Sequence, residues 1–185
     1  MGRPIADLHP ARERRHCIFL FFCILVGWKF GENDLLTDSP NIYIPNPSIV
    51  LVEDDPADQV LASRILGKNR PDETVHILRD GAEAIDFFFK REFGGKQPFT
   101  PPKLILLDLK LPKVDGFEVL GRIKADLLLR SVPVVVFSSS DDPGDIARCT
   151  ALGAEAYTKK PSSYEEYSEA VERICNRWLP STLSE

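Results

Sequence analysis

The sequence has no glycine-rich phosphate loop. Neither G-x-x-x-x-G-K-[ST] nor G-x-G-x-x-G follows its first predicted strand, which argues against a nucleotide pocket. It has no paired cysteines either. Cys17, Cys23, Cys149 and Cys175 show neither C-x-x-C nor metal-ligand spacing, so free, reduced thiols and a cytoplasmic location are expected. There is no basic excess: the net charge of −5 argues against non-specific binding to nucleic acid or anionic lipid. The apolar run Cys17 to Val26 falls short of the ~20 residues that span a bilayer. Arg12, Arg14 and Arg15 precede it as in a signal peptide, yet Gly27 to Glu32 offers no small-x-small cleavage site. No repeat of solenoid period occurs, and methionine occurs only at position 1.

What is present divides the chain unevenly. Residues 1–47 read as an extension. A membrane-surface anchor, an export signal, a packed helix and sequence upstream of the true start compete for it, and the last, or disorder, is preferred. Pro40, Pro45 and Pro47 among polar residues mark 31–47 as a linker. Residues 48–179 form one domain and 180–185 a tail. The apolar fraction, 43%, suffices for a globular core.

Within the domain, strands and helices alternate. Ile49 to Val52 is a β-branched run ending in Glu53-Asp54-Asp55, with Asp55 as N-cap and Pro56 in the first turn of a helix that Gly67 stops. Thr74 to Leu78 is a strand, Ala82 to Arg91 a helix, and Phe93 to Pro102 a long loop. Leu104 to Leu107, four apolar residues in a row, fits a strand buried on both faces and ends in Asp108. A helix follows Asp115-Gly116. Val132 to Phe137 is a fourth strand, ending in Ser138-Ser139-Ser140. Asp141 or Asp142 caps a helix that Gly153 ends. Ala154 to Thr158 is a fifth strand before Lys159-Lys160-Pro161, and the last helix runs from Ser163 to Trp178. Five β-α units over about 130 residues predict an α/β, flavodoxin-like doubly wound (βα)5 fold, its parallel sheet ordered 2-1-3-4-5.

That order brings the carboxyl ends of strands one, three, four and five to one rim. The ends carry Glu53 and Asp54, Asp108, Ser138 and Lys160. Carboxylates crowded in one pocket repel unless a cation sits among them, and hard oxygen ligands with open water positions suit Mg²⁺. A lysine and a hydroxyl beside them are what a phosphoryl group needs. Without a nucleotide loop, that group would arrive on a partner and move onto a carboxylate as an aspartyl-phosphate.

The motifs Leu51-Val-Glu-Asp-Asp-Pro56, Leu104 to Gly116, Pro133-Val-Val-Val-Phe-Ser138 and Gly153 to Pro161 resemble the receiver domain of two-component response regulators. The resemblance covers residues 48–179. It implies that Asp108 is the phosphoacceptor, that Glu53 and Asp54 are the acidic pair, with Asp54 a direct Mg²⁺ ligand, and that Lys110 offers its backbone carbonyl to the metal. Ser138 would be the switch hydroxyl, Tyr157 the switch aromatic, and Lys160 the phosphoryl contact, joined to Pro161 by a cis bond. A register slip of one would put Ser139 or Lys159 in these roles, and Tyr157 has a nearly equal reading as plain core. His9, His16 and His76 are not placed for phosphorelay, so the chain is the acceptor and not the kinase, and the resemblance implies a signalling protein rather than an enzyme.

The long loop, the serine run and Trp178 resemble stand-alone regulators paired with bacterial phytochrome-type kinases. The implied partners are a sensor histidine kinase and a downstream protein. Only seven residues follow Trp178, so no nucleic-acid-binding output domain is expected there. A homodimer through the last helix is expected from its apolar side chains Tyr164, Tyr167, Val171, Ile174, Trp178 and Leu179. The rivals are an Mg²⁺-dependent phosphohydrolase, which commonly has an acid where Lys110 stands, and a pseudo-receiver interaction module, against which Asp108 and Lys160 argue.

Overall fold

The computed structural model describes residues 47–90 and 99–179. They form β1 (Ile49–Val52), α1 (Pro56–Asn69), β2 (Val75–Leu78), α2 (Gly81–Phe89), β3 (Leu104–Leu107), α3 (Gly116–Ala125), β4 (Val134–Ser138), α4 (Pro143–Ala151), β5 (Ala156–Lys159) and α5 (Tyr164–Trp178). Residues 1–46 of the predicted extension, most of the long loop and the tail lie outside the described residues. All pairings are parallel, in the order β2-β1-β3-β4-β5. This is the predicted flavodoxin-like α/β fold.

Every residue of β1, β3 and β4 is buried, which explains their unbroken apolar runs. Val50, Val52, Ile105, Leu107, Val134 and Val136 face α2, α3 and α4, packing on Phe88, Leu120, Ile123 and Cys149. Ile49, Leu51, Leu104, Leu106, Val135 and Phe137 face α1 and α5, packing on Ile65, Leu66, Tyr167 and Val171. Each such side chain contributes about 1.5–3 kcal/mol by leaving water. Cys149 and Cys175 are free and buried.

Short polar residues fix where the helices begin. Asp55 Oδ1 accepts from the amides of Ala57 (2.8 Å) and Asp58 (2.9 Å), and Asp80, Asp115, Asp142 and Ser163 cap the other four helices. Helix starts held this close to the strand ends keep the rim short and ordered.

Three expectations shift. α1 does not stop at Gly67. That residue is exposed with nothing within 4 Å of a would-be Cβ, so the helix passes it. The chain turns instead at Arg70, whose guanidinium donates to Leu179 O at 2.8 Å and to Asn176 Oδ1 at 2.9 Å. β5 starts at Ala156 rather than Ala154, because pairing begins opposite Val135. No cis peptide bond occurs among the described residues, so Lys160–Pro161 is trans, the isomer an X–Pro bond favours by about 0.5–1 kcal/mol.

The apolar surplus expected on the last helix is also absent. Tyr167, Val171, Ile174 and Leu179 are buried against the sheet and Trp178 is half-buried, leaving Tyr164 exposed. Four of the six side chains that argued for a homodimer are packed into the chain's own core.

Candidate functional site

The register sets the site. Val52 pairs with Leu107, so the next residues, Glu53 and Asp108, emerge side by side. Asp108 N donates to Val52 O at 3.0 Å, and Lys160 N donates to Ser138 O at 2.8 Å, which locks β1, β3, β4 and the end of β5 together at the rim.

Asp108 is buried and fully engaged. Its Oδ1 accepts from Leu109 N (2.6 Å), Lys110 N (3.3 Å) and Ser138 Oγ (2.6 Å), and its Oδ2 accepts from Lys160 Nζ (2.8 Å). Lys160 Nζ also donates to Glu53 Oε2 at 2.6 Å and to Asp58 Oδ2 at 2.9 Å. Of each neighbouring pair, Ser138 and Lys160 are the residues that reach Asp108. Ser138 is buried and bonds Asp108, whereas Ser139 is exposed. Lys159 points away, to Asp141.

The charges are balanced only in part. Burial pushes the Glu53 carboxyl up to about 7, against the pull of Lys160. Burial would raise Asp108 as well, but the bonds from Lys160 and Ser138 outweigh it and hold that carboxyl below the ordinary range. Burial would lower the Lys160 ammonium, yet bonding to Asp108 and Glu53 raises it above the ordinary lysine value. One ammonium therefore serves a crowd of carboxylates, and Glu53 is left short of positive charge.

Asp54 is exposed beside them. Glu53, Asp54 and Asp108 each present an oxygen, all within 4.8 Å of one another. A donor set of hard carboxylate oxygens, partly open to water, fits a small divalent cation such as Mg²⁺.

Two glycines let the loops close under this rim. A Cβ on Gly116 would lie 2.3 Å from Asp108 O, so the backbone after β3 doubles back where only glycine fits. A Cβ on Gly81 would lie 1.8 Å from Val114 O. The two loops are further joined by Lys113 Nζ to Asp80 Oδ2 at 2.5 Å, with Lys113 itself at φ 68°. Lys110, between Asp108 and this brace, is exposed.

Tyr157 is half-buried on β5 and its hydroxyl donates to Ser140 O at 2.9 Å. It packs against the core cluster that includes Val136 and Cys149 and brings its polar tip to the rim. His76 lies on β2, stacked on Phe87. Asp58 was not a sequence candidate. It sits in the first turn of α1, where an acid is ordinary, and only its reach to Lys160 marks it.

A parallel sheet of this order carries acids, a hydroxyl and a lysine together at its carboxyl rim. A family model for the response regulator receiver domain matches residues 49–172, and the chain belongs to that family. It is 40% identical over 131 residues to the probable methanogenesis regulatory protein FilR2 of Methanothrix harundinacea, covering 71% of this chain and 83% of FilR2. It is 37% identical over 135 residues to the response regulator Rcp1 of Synechocystis, covering 73% of this chain and 90% of Rcp1. The structure of the phosphorylated cyanobacterial phytochrome response regulator RcpA superposes with a TM-score of 0.67 at 36% identity, covering 76% of this chain and 98% of RcpA. An Mn²⁺-bound form of Rcp1 superposes with a TM-score of 0.65 at 34% identity, covering 75% and 99%. The expected resemblance to phytochrome-associated regulators is thus found. Among the described residues no helix is long and apolar enough to cross a membrane.

Proposed function

We propose that this protein takes a phosphoryl group from a sensor histidine kinase onto Asp108 and passes the signal on by protein contact. The observation that carries the reading is the pairing of both Asp108 oxygens, one with Ser138 Oγ at 2.6 Å and one with Lys160 Nζ at 2.8 Å, inside a pocket shared with Glu53 and Asp54. In the transfer, an Asp108 carboxylate oxygen forms the new bond to phosphorus. The bond from phosphorus to the donor's imidazole nitrogen breaks, and its electron pair leaves with that nitrogen. The depressed pKa of Asp108 keeps it ionised and ready as nucleophile. Lys160 and Ser138 then bond the phosphoryl oxygens.

Glu53, Asp54, Asp108 and the Lys110 carbonyl would hold Mg²⁺, which when bound neutralises the crowded acids and polarises the phosphoryl oxygens. The relatives named for phytochrome systems support a phytochrome-type kinase as donor, and such a donor supports a cytoplasmic site of action. Ser138 and Tyr157, both meeting the rim from β4 and β5, are the residues through which phosphorylation would be read out.

The test is intact-mass measurement with Mg²⁺ and acetyl phosphate, followed by transfer from a purified phytochrome-type kinase. One added phosphate that Asp108→Asn abolishes is expected. Unchanged labelling of Asp108→Asn rejects the acceptor assignment.

A further inference from the structure

Lys160 is held by one carboxylate that the phosphoacceptor reading does not use. An ammonium has three N–H donors. In this structure they meet Glu53 Oε2 at 2.6 Å, Asp108 Oδ2 at 2.8 Å and Asp58 Oδ2 at 2.9 Å. All three are therefore taken. A phosphoryl oxygen on Asp108 can claim a Lys160 donor only if one of these bonds is released or bent.

The three bonds differ in what release leaves behind. The Glu53 side chain is 2% exposed, so without Lys160 its buried charge would depend on a bound cation alone. The Asp108 oxygen is adjacent to the new acyl-phosphate bond and moves with it. The Asp58 side chain is 31% exposed, on the first turn of α1, and can be rehydrated where it stands. Asp58 is also outside the group of carboxylates close enough to share a cation. Neither the metal nor the phosphoryl group would compensate its charge directly, so Asp58 keeps a claim on Lys160 when the phosphoryl group arrives, and only solvent can take over that bond.

Resting on the phosphoacceptor reading, we propose that Asp58 is a positioning residue that holds Lys160 while Asp108 is free and competes with the phosphoryl group for it. Its carboxylate thereby weakens the grip on the phosphorylated state and tethers the first turn of α1 to the end of β5 until that state forms. Removing the charge while keeping the shape releases Lys160 toward the phosphoryl position.

The experiment titrates the full-length chain with beryllofluoride, a phosphoryl analogue, at saturating Mg²⁺, comparing wild type, Asp58→Asn, Asp58→Glu and Asp108→Asn by calorimetry. Asp58→Asn is expected to bind the analogue about two- to fivefold more tightly, the size of one partly exposed ion pair. Asp58→Glu, which restores the charge, is expected to return toward wild type. A merely structural role for Asp58 would weaken binding or leave it unchanged. Equal or weaker binding by a folded Asp58→Asn protein therefore overturns the proposal. If Asp58→Asn does not fold, Asp58→Ser is read in the same way. Should wild type bind no analogue, or Asp108→Asn bind it equally well, the acceptor reading itself fails and Asp58 falls with it. Binding by wild type that is matched by Asp58→Asn and lost in Asp108→Asn rejects the Asp58 proposal alone.

Discussion

Ser138 Oγ donates to Asp108 Oδ1 at 2.6 Å, across the pairing of β4 with β3, and both side chains are buried. The same oxygen accepts from Leu109 N and Lys110 N, so the hydroxyl is the one side-chain donor on that oxygen. Ser138→Ala is expected to destabilise the domain by about 1.5–3 kcal/mol, the range for a hydrogen bond to a charged acceptor. Phosphate should still reach Asp108, with a smaller change in partner binding afterwards. Urea unfolding and a binding assay with and without acetyl phosphate check both parts. Wild-type coupling in Ser138→Ala places the readout elsewhere.

Lys160→Ala removes the ammonium from a nest of carboxylates, with Glu53 and Asp108 both within 2.8 Å of it. A loss of about 3 kcal/mol is expected, as for breaking a buried pair. Mg²⁺ should recover part of it, because any ligand that binds only the folded state stabilises it. Thermal unfolding with and without Mg²⁺ tests this. The variant's melting temperature should rise more than that of wild type, and no rise in either protein would contradict the metal assignment.

Gly116→Ala would place a Cβ 2.3 Å from Asp108 O and 2.6 Å from Leu109 Cα, both backbone atoms that cannot swing aside. The expected cost is about 1–3 kcal/mol of overpacking. Labelling of Asp108 should slow at the same time, since relief of the clash moves the acceptor. A stable variant labelled at the wild-type rate would mean that this close approach is relaxed without moving Asp108.

Most of the rim could be read without coordinates because strand ends are short-range features. An unbroken run such as Leu104–Leu107 that stops at an acid fixes which residue emerges, and the βα order fixes its neighbours. Features that depend on reach across the fold were not readable. Asp58 looks like any first-turn acid until Lys160 is seen 2.9 Å away. Gly67 reads as a helix stop, but α1 runs on to Asn69 because tertiary packing of Ala62, Ile65 and Leu66 outweighs one exposed glycine. The apolar side of α5 reads as surplus until β4 and Phe137 are seen to absorb it. Tyr167, for instance, packs edge-on to Phe137 with ring centroids 5.0 Å apart.

His76 gives a pH dependence away from the acidic rim. Burial against Phe87 holds its pKa below the ordinary 6.5, with Glu83 opposing weakly. Above the unfolded value His76 is neutral in both states and adds no slope. As pH falls through that value the unfolded chain takes up the proton first, so stability is lost until the lower folded pKa is reached. His76→Phe should flatten the stability profile as pH falls below the ordinary histidine value of about 6.5. Urea midpoints across that range check it, and an unchanged profile would show that His76 protonates equally in both states.

A chain beginning at Ser39 retains all of the matched receiver region, residues 49–172. It is expected to fold and to accept phosphate at the full-length rate. Failure to fold, or membrane association of the full-length protein that begins at Met1, would make residues 1–38 part of the working protein.

The central claim is the covalent chemistry of Asp108, and intact-mass spectrometry after incubation with Mg²⁺ and acetyl phosphate addresses it most directly. One added phosphate is predicted for wild type, suppressed by a chelator and absent from Asp108→Asn. A wild-type mass that never changes under these conditions, or a phosphate that persists in Asp108→Asn, would contradict the account.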